Sequence, residues 1–381
     1  MISEELFQYV IDLRRTIHRH PEIGVDCPVT AALIKRELES AGIEYSEEFC
    51  ENSVVGYIGH DPNKKTLALR ADMDALPVTE KSGVPFASEI PGKMHACGHD
   101  SHTAILIGVA KTLKAEEDSL SCNVRLVFQP SEECEVSGAH IMTDNGVMNG
   151  VDCIMGIHCE PTMMAGEVGI RPGRYMAACM IVNIVFHGRT SHATRPEGGI
   201  DAIRQAYESY EKIASIVKEE AAGEEYVWSV GRFEGGTAHN VIADRCELEI
   251  SFRYYNEEFA LRAINRVKAE CELIAARFGG TVDVDYCIST HPVFNDPALS
   301  EQFTEFYEKE TGKKPVLMPI RMSSEDFSWY LRKAPGFIAR FGTGNEAGDC
   351  CAPAHRNDFK INEEGIRSGI EAFLSFARNY S

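Results

Sequence analysis

Positive charge is what this 381-residue sequence most lacks: 38 Lys and Arg stand against 58 Asp and Glu, a net charge of −20. No basic block offsets the deficit. Duplex phosphates or an anionic membrane surface would meet a like-signed field, which excludes nucleic acid and membrane as main partners. No apolar run approaches the roughly 20 residues of a membrane span. The opening Met1-Ile2-Ser3-Glu4-Glu5-Leu6 carries acid where a secretory leader carries base, so the expected location is the cytoplasm. Repeats, low-complexity tracts and Pro/Gly/Ser-rich linkers are also missing, so domain limits must be read from the order of elements. The 13 cysteines are odd in number and scattered. Without an export signal they read as reduced thiols in a core or at a metal, not as a disulfide framework. Cys350-Cys351 stays open to two readings, a redox-sensitive pair or two packed thiols.

The rest of the composition is ordinary for a globular chain, 44% hydrophobic and 25% charged. At about 150 residues per domain the length suits two or three domains. Leu6, Val10, Leu13 and Ile17 mark one helix face, and Leu33, Ile34 and Leu38 another that stops near Gly42. Strand-like runs follow at 53–58, 66–71, 124–128 and 153–157, with a helical stretch at 102–113, the rhythm of an α/β layer around a mostly parallel sheet with helices on both faces. From about residue 175 the order becomes strand 180–186, helix 200–218, strands 226–233 and 241–253, helix 257–278 and strand 281–289. That is the split βαβ order of a ferredoxin-like α+β unit. Helix and strand alternate again after His291-Pro292. The economical division is a discontinuous domain of 1–174 and 292–381, interrupted by an inserted domain of 175–291.

Ligand-type side chains cluster where the expected strands end. The strand at 66–71 runs into Asp72-Met73-Asp74, that at 124–128 delivers Ser131-Glu132-Glu133, and that at 153–157 delivers His158. The loop His95-Ala96-Cys97-Gly98-His99-Asp100 precedes a helix. Ligands of open α/β sheets bind beyond the carboxyl ends of the strands, so these clusters should converge in one crevice. Cys97 and His99 flank a glycine, a spacing that aims both side chains one way and lets the backbone crowd an ion. Taken alone, that loop equally fits a buried Cys beside a helix-capping Asp100. Apolar strands that each end in such a side chain favour a shared two-metal site, because unpaired buried polar groups are costly. The neighbours Glu132 and Glu133 point to opposite sides of an extended chain, so one suits metal binding and the other the proton of a bound water.

In order, the motifs Arg14 to Glu22 (RRTIHRHPE), Ala71 to Pro77 (ADMDALP), His95 to Asp100 (HACGHD), Phe128 to Glu133 (FQPSEE) and Gly156-Ile157-His158 cover essentially the whole chain. With them the sequence resembles the aminoacylase and carboxypeptidase-G-type metallopeptidase family. The closer likeness is to its amidohydrolase branch of hippurate hydrolases, N-acetyl-diaminopimelate deacetylases and plant auxin-conjugate hydrolases. The resemblance implies two divalent ions per subunit, zinc or manganese with cobalt open, held by Cys97, His99, Glu133, His158 and His355. Glu132 is the implied general base and acid. Asp72, Asp74 and Asp100 would support the ligands, and Glu325 of Ser323-Ser324-Glu325-Asp326-Phe327 would orient a ligand or the substrate. Carboxypeptidase-type relatives carry His at the place of Asp72, so this chain sides with the amidohydrolases.

The same resemblance makes the inserted domain a lid and a homodimer surface. Gly188-Arg189-Thr190-Ser191-His192-Ala193 matches the motif whose His reaches the scissile carbonyl, often in the partner subunit's site. Asn240 and Arg253 match positions that hold the substrate carboxylate; His239, beside Asn240, is a further candidate contact. A bidentate guanidinium suits that carboxylate, although an Arg paired with neighbouring acids is the plainer alternative. The expected reaction is hydrolysis of an N-acyl amino acid or related small amide. Metal-activated water attacks, Glu132 moves the proton, and a metal and His192 stabilise the oxyanion. The alternatives are a dipeptidase or carboxypeptidase of the same family, and a non-catalytic metal or amino-acid sensor. Three departures from the branch's pattern stand out: Cys134-Glu135-Val136 where it runs into glycines, which bears on substrate size; Ala243 where it has Pro, which removes a rigid turn; and Cys159-Glu160 after His158, an extra thiol and acid near the metals.

Overall fold

The computed structural model describes residues 2–381. Its helices are α1 (Glu4–Arg19), α2 (Pro28–Ser40), α3 (His99–Ala115), α4 (Gly138–Asp144), α5 (Ala202–Ala221), α6 (Glu257–Phe278), α7 (Pro297–Thr311), α8 (Ser328–Leu331) and α9 (Gly365–Asn379). The strands up to the middle of the chain are β1 (Glu44–Ser46), β2 (Val54–Ile58), β3 (Thr66–Asp72), β4 (Asn123–Gln129), β5 (Cys153–Met164), β6 (Val168–Ile170) and β7 (Gly173–Met176). They are followed by β8 (Ala178–His187), β9 (Tyr226–Gly235), β10 (Arg245–Tyr254), β11 (Thr281–Thr290), β12 (Val293–Asn295), β13 (Val316–Leu317) and β14 (Gly336–Gly344).

Two compact units emerge. The larger comprises residues up to Tyr175, Phe294–Ile320 and Asp326–Ser381; the smaller comprises Met176–Val293 and Arg321–Glu325. The short Arg321–Glu325 segment, expected within the larger domain, therefore groups with the smaller one. Its neighbours there explain this: the Tyr255 hydroxyl donates to the Arg321 carbonyl at 2.7 Å and Arg253 Nη1 donates to Ser324 Oγ at 2.7 Å.

The larger unit is built on an eight-stranded sheet in the order β1-β2-β4-β3-β5-β14-β6-β13. β4, β3, β5 and β14 run parallel at its centre. Their interiors are mostly apolar, as parallel strands covered on both faces require, each interrupted by an ionisable side chain: Arg70 in β3, Arg125 in β4, His158 in β5 and Arg340 in β14. Helix α1 starts on a Ser3 cap that accepts from Leu6 N–H and buries Phe7, Val10, Ile11, Leu13 and Ile17. It packs on α3, which in turn packs on β3, β5 and α9. Strand β5 runs well past the expected end at Ile157, because β14 pairs alongside it to Glu160 and, after a register shift, at Met164. His158 thus sits within a strand and not beyond one.

The smaller unit is a four-stranded antiparallel sheet in the order β11-β8-β10-β9. One face of it buries Met180, Val182, Ile184, Phe186, Leu248, Ile250 and Phe252 with the apolar stripes of α5 and α6. Strand β10 starts at Arg245, not at Val241. The four preceding residues pair instead with the loop after β8: Gly188 N–H donates to Asp244 O at 2.8 Å and Ile242 N–H to Ser191 O at 2.8 Å.

Candidate metal centre and active site

Every expected ligand lies in the larger unit, on segments that the sheet brings together. Cys97 Sγ lies 3.5 Å from His158 Nε2, His99 Nε2 lies 3.8 Å from Glu133 Oε1, and His355 Nε2 lies 3.1 Å from that same oxygen. The donor atoms form two triads, Cys97-His99-His158 and Cys97-Glu133-His355, each within 4.8 Å and sharing the Cys97 sulfur. Glu132 Oε2 stands 3.9 Å from His99 Nε2.

Local backbone makes this convergence. Gly98 caps α3 at φ +86°, and a Cβ there would lie 2.5 Å from Cys159 Sγ. Only glycine allows both the turn and the close approach. Ser131 (φ +59°) and His355 (φ +70°) adopt left-handed conformations that non-glycine residues rarely take, and such strain collects at functional sites. Ser131 turns the chain into Glu132, while His355 N–H donates to Ala96 O at 2.8 Å and so pins the last ligand to the Cys97 loop. Asp74 accepts from Glu132 N–H at 2.9 Å and Glu133 N–H at 3.1 Å, hanging both glutamates on one carboxylate.

The imidazoles are set for coordination. His99 Nδ1 faces the Asp74 carbonyl at 2.9 Å and His158 Nδ1 faces the Cys159 carbonyl at 2.7 Å. A carbonyl can only accept, so both Nδ1 atoms carry a proton and both Nε2 atoms turn inward, where a cation can replace any proton on them. His99 Nε2 is buried with no hydrogen-bond partner among the described residues. Burial disfavours charge on His99, yet Asp72, Asp74 and Glu133 outweigh it and bring its pKa up to about 10. Burial, and then Glu133, push the Cys97 thiol well above its usual range. A buried cluster with an orphaned imidazole nitrogen, a thiol and carboxylates that favour positive charge this strongly suits divalent cations.

The supporting acids divide. Asp72 and Asp74 lie 3.8 Å and 3.5 Å from the ring nitrogens of His99. Asp100 accepts from Arg14 Nε and faces His18 Nδ1, both at 2.8 Å, and so fastens the Cys97 loop to α1. Glu325 is buried in the segment that belongs to the smaller unit. The Cys159 thiol donates to the Cys97 carbonyl at 3.1 Å and packs against Gly98.

In the smaller unit, His192 bridges Val241 in a short pairing, and Ala193 N–H donates to Asn240 O at 3.0 Å. His192 and His239 are exposed. This pair of loops lies beyond the β10 end that holds Arg245, whereas Arg253 pairs with Cys179 at the other end. Eight strand residues at about 3.3 Å each separate the two ends by about 26 Å. Within one chain, therefore, Arg253 and the His192-Asn240 pair do not share a site.

Comparison with known proteins gives this centre its context. The model of peptidase family M20/M25/M40 matches residues 68–379. The chain belongs to that family. Among its relatives, thermostable carboxypeptidase 2 of Saccharolobus solfataricus is 35% identical over 385 residues, covering 99% of this chain and 97% of its own. N-acetylcysteine deacetylase of Bacillus subtilis is 33% identical over 380 residues, covering 99% and 98%. IAA-amino acid hydrolase ILR1-like 4 of Arabidopsis thaliana is 35% identical over 384 residues, covering 99% and 86%. The crystal structure of a Bacillus subtilis dinuclear metal binding peptidase from the M20 family superposes with a TM-score of 0.84 at 31% identity, covering 99% of this chain and 98% of that one.

Sequence reasoning passed over the polar frame behind the ligands. Asp326 accepts from Arg70 Nη2, Gln129 Nε2 and Ser137 Oγ, each at 2.7 Å, and so joins β3, the end of β4 and the loop after Glu133. Its signal was Arg70, a charge inside an otherwise apolar strand. His102, one helical turn after His99, was also missed.

Proposed function

We propose that this chain is a metal-dependent amidohydrolase that cleaves N-acyl amino acids or related small amide conjugates. The observation that carries the reading is the pair of donor triads sharing Cys97, with the Glu132 carboxylate 3.9 Å from His99 Nε2. Cys97, His99, Glu133, His158 and His355 would hold two divalent ions, zinc or manganese with cobalt open. Bound there, such ions supply Lewis acidity to a water molecule and to the scissile carbonyl. Glu132 takes the water proton on a carboxylate oxygen and passes it to the departing nitrogen. His192 donates to the developing oxyanion, and Asn240, Arg253 and His239 bind the substrate.

A homodimer formed through the smaller unit is part of the proposal. It is supported by the about 26 Å of strand between Arg253 and the His192 loop, which suits these groups to sites in different copies. It is also supported by β9, an edge strand with no outer neighbour among the described residues, where Val227 and Phe233 are 39% and 43% exposed. No helix among the described residues is long and apolar enough to cross a membrane. A cytoplasmic location fits thirteen free cysteines. Two carboxypeptidases among the relatives favour a second reading, peptide hydrolysis. Comparing N-acetyl and N-aminoacyl forms of one amino acid separates the two.

Glu132→Gln should keep the fold and the bound metal while lowering kcat by about 10²- to 10⁴-fold, because it removes only the proton carrier. Near-normal turnover in that variant, measured on metal-loaded protein, would overturn the assignment.

A further inference from the structure

His102 looks like a sixth ligand. It follows His99 by three residues on α3, and its ring nitrogens fall within donor groups with His158 and Cys159 and with Asp72 and His99. The hydrogen bonds say otherwise. His102 Nδ1 lies 2.6 Å from Asp72 Oδ1, and His102 Nε2 accepts the Cys159 backbone N–H at 2.9 Å. An N–H can only donate, so Nε2 carries the lone pair and Nδ1 the proton. Both nitrogens are spent, in a fully buried ring with its centroid 4.7 Å from that of His158 and with Phe341 edge-on at 5.8 Å.

The two bonds form one mechanical link. Arg70 Nη1, on β3, donates to the second carboxylate oxygen of Asp72 at 2.7 Å, and Thr103 Oγ1, on α3, donates to the Asp72 backbone carbonyl at 2.8 Å, so side chain and backbone of Asp72 are both held. His102 carries that fixed point across to Cys159. The N–H of Cys159 goes to His102, while its carbonyl takes the Nδ1 proton of His158. The direction of His158 Nε2 toward Cys97 is therefore coupled to the position of the Cys159 carbonyl.

We propose that His102 is a positioning residue, a neutral imidazole that ties Asp72 to the backbone of Cys159 and thereby fixes the tautomer and direction of the metal ligand His158. This rests on the metal-centre reading above. His102→Gln restores one donor for Asp72 and one acceptor for Cys159 N–H, whereas His102→Phe fills the space and supplies neither.

The test has two arms. In ¹⁵N-histidine-labelled, metal-free protein, His158 should be a single Nδ1–H tautomer in the parent and in His102→Gln, and a mixture in His102→Phe. A single tautomer in a folded His102→Phe protein overturns the proposal. In chelator competition with zinc, His102→Phe should weaken binding about ten- to a hundredfold and His102→Gln by no more than about threefold, with the number of bound ions unchanged. Loss of one bound ion in His102→Gln makes His102 a ligand and overturns the proposal. So does parental zinc affinity in a His102→Phe protein that is merely less heat-stable. If the parent binds no zinc, the metal-centre reading fails, and the tautomer arm still decides the role of His102.

Discussion

Asp74 shows how little of the centre is left to side-chain freedom. One carboxylate receives the backbone of both glutamates, and the carbonyl of the same residue orients His99. Gly98 makes the matching point in reverse: what matters there is the lack of a side chain. Gly98→Ala would combine a left-handed backbone with a methyl group 2.5 Å from Cys159 Sγ. The two penalties together come to about 3 kcal/mol, to be read as a lower melting temperature of the metal-free protein. Unchanged melting would mean that the loop relaxes freely, against the close packing described here. At this scale the side chains that converge were legible in the sequence, because Cys97, Glu133 and His158 sit in short motifs of fixed order. His102 and Asp326 were not. Their roles depend on which nitrogen or oxygen meets which partner across segments remote in the chain, and no local spacing records that.

Among the elements, the helices on the core are joined by charge as well as by apolar stripes. Glu37 of α2 accepts from the hydroxyl of Tyr9 on α1 and pairs with Lys111 of α3 at 2.9 Å. Burial alone would raise the Glu37 carboxyl, but bonds from Tyr9, Lys111 and Arg36 prevail and hold it below its usual value. A carboxylate depressed in the folded state contributes stability above the unfolded value of about 4.3, and loses it as pH falls through the folded value. Glu37→Gln should therefore cost about 1 kcal/mol at pH 7, and the gap to the parent should close toward pH 3. Urea unfolding of both proteins at the two pH values measures this; a pH-independent gap would assign the loss to shape and not to charge. Elements buried on both faces, such as β3 and β4, announce themselves as apolar runs. The extension of β5 does not, because it is set by its partner β14, and the short strands β1, β6 and β13 carry too few residues to show a period.

For the molecule as a whole, the placement of Arg253 and His192 at opposite ends of one sheet leads to a test that needs no structure. If His192 acts in the site of a second copy, a Glu132→Gln subunit paired with a His192→Ala subunit regains one intact site. Equal mixing of the two inactive proteins, with time for exchange, should then recover about a quarter of wild-type activity, since half the dimers are mixed and each has one working site of two. No recovery, with subunit exchange verified by mass spectrometry, would place His192 in its own subunit's chemistry or outside it. The order of elements in the inserted block was readable because hydrophobic period and turn spacing repeat within it. The distance between its two polar groups was not, since strand length in ångströms enters only once the register of β8 and β10 is known.

The larger unit also has a history imposed by its chain order. His355 and strand β14 are made after the whole of Met176–Val293, so during synthesis the sheet waits with an unfilled place beside β5, and the cluster around Cys97 lacks one of its side chains. A nascent chain halted before that point carries Cys97, His99, Glu133 and His158 without the partner that closes around them. The donor cluster is thus assembled only after the chain has been made through His355.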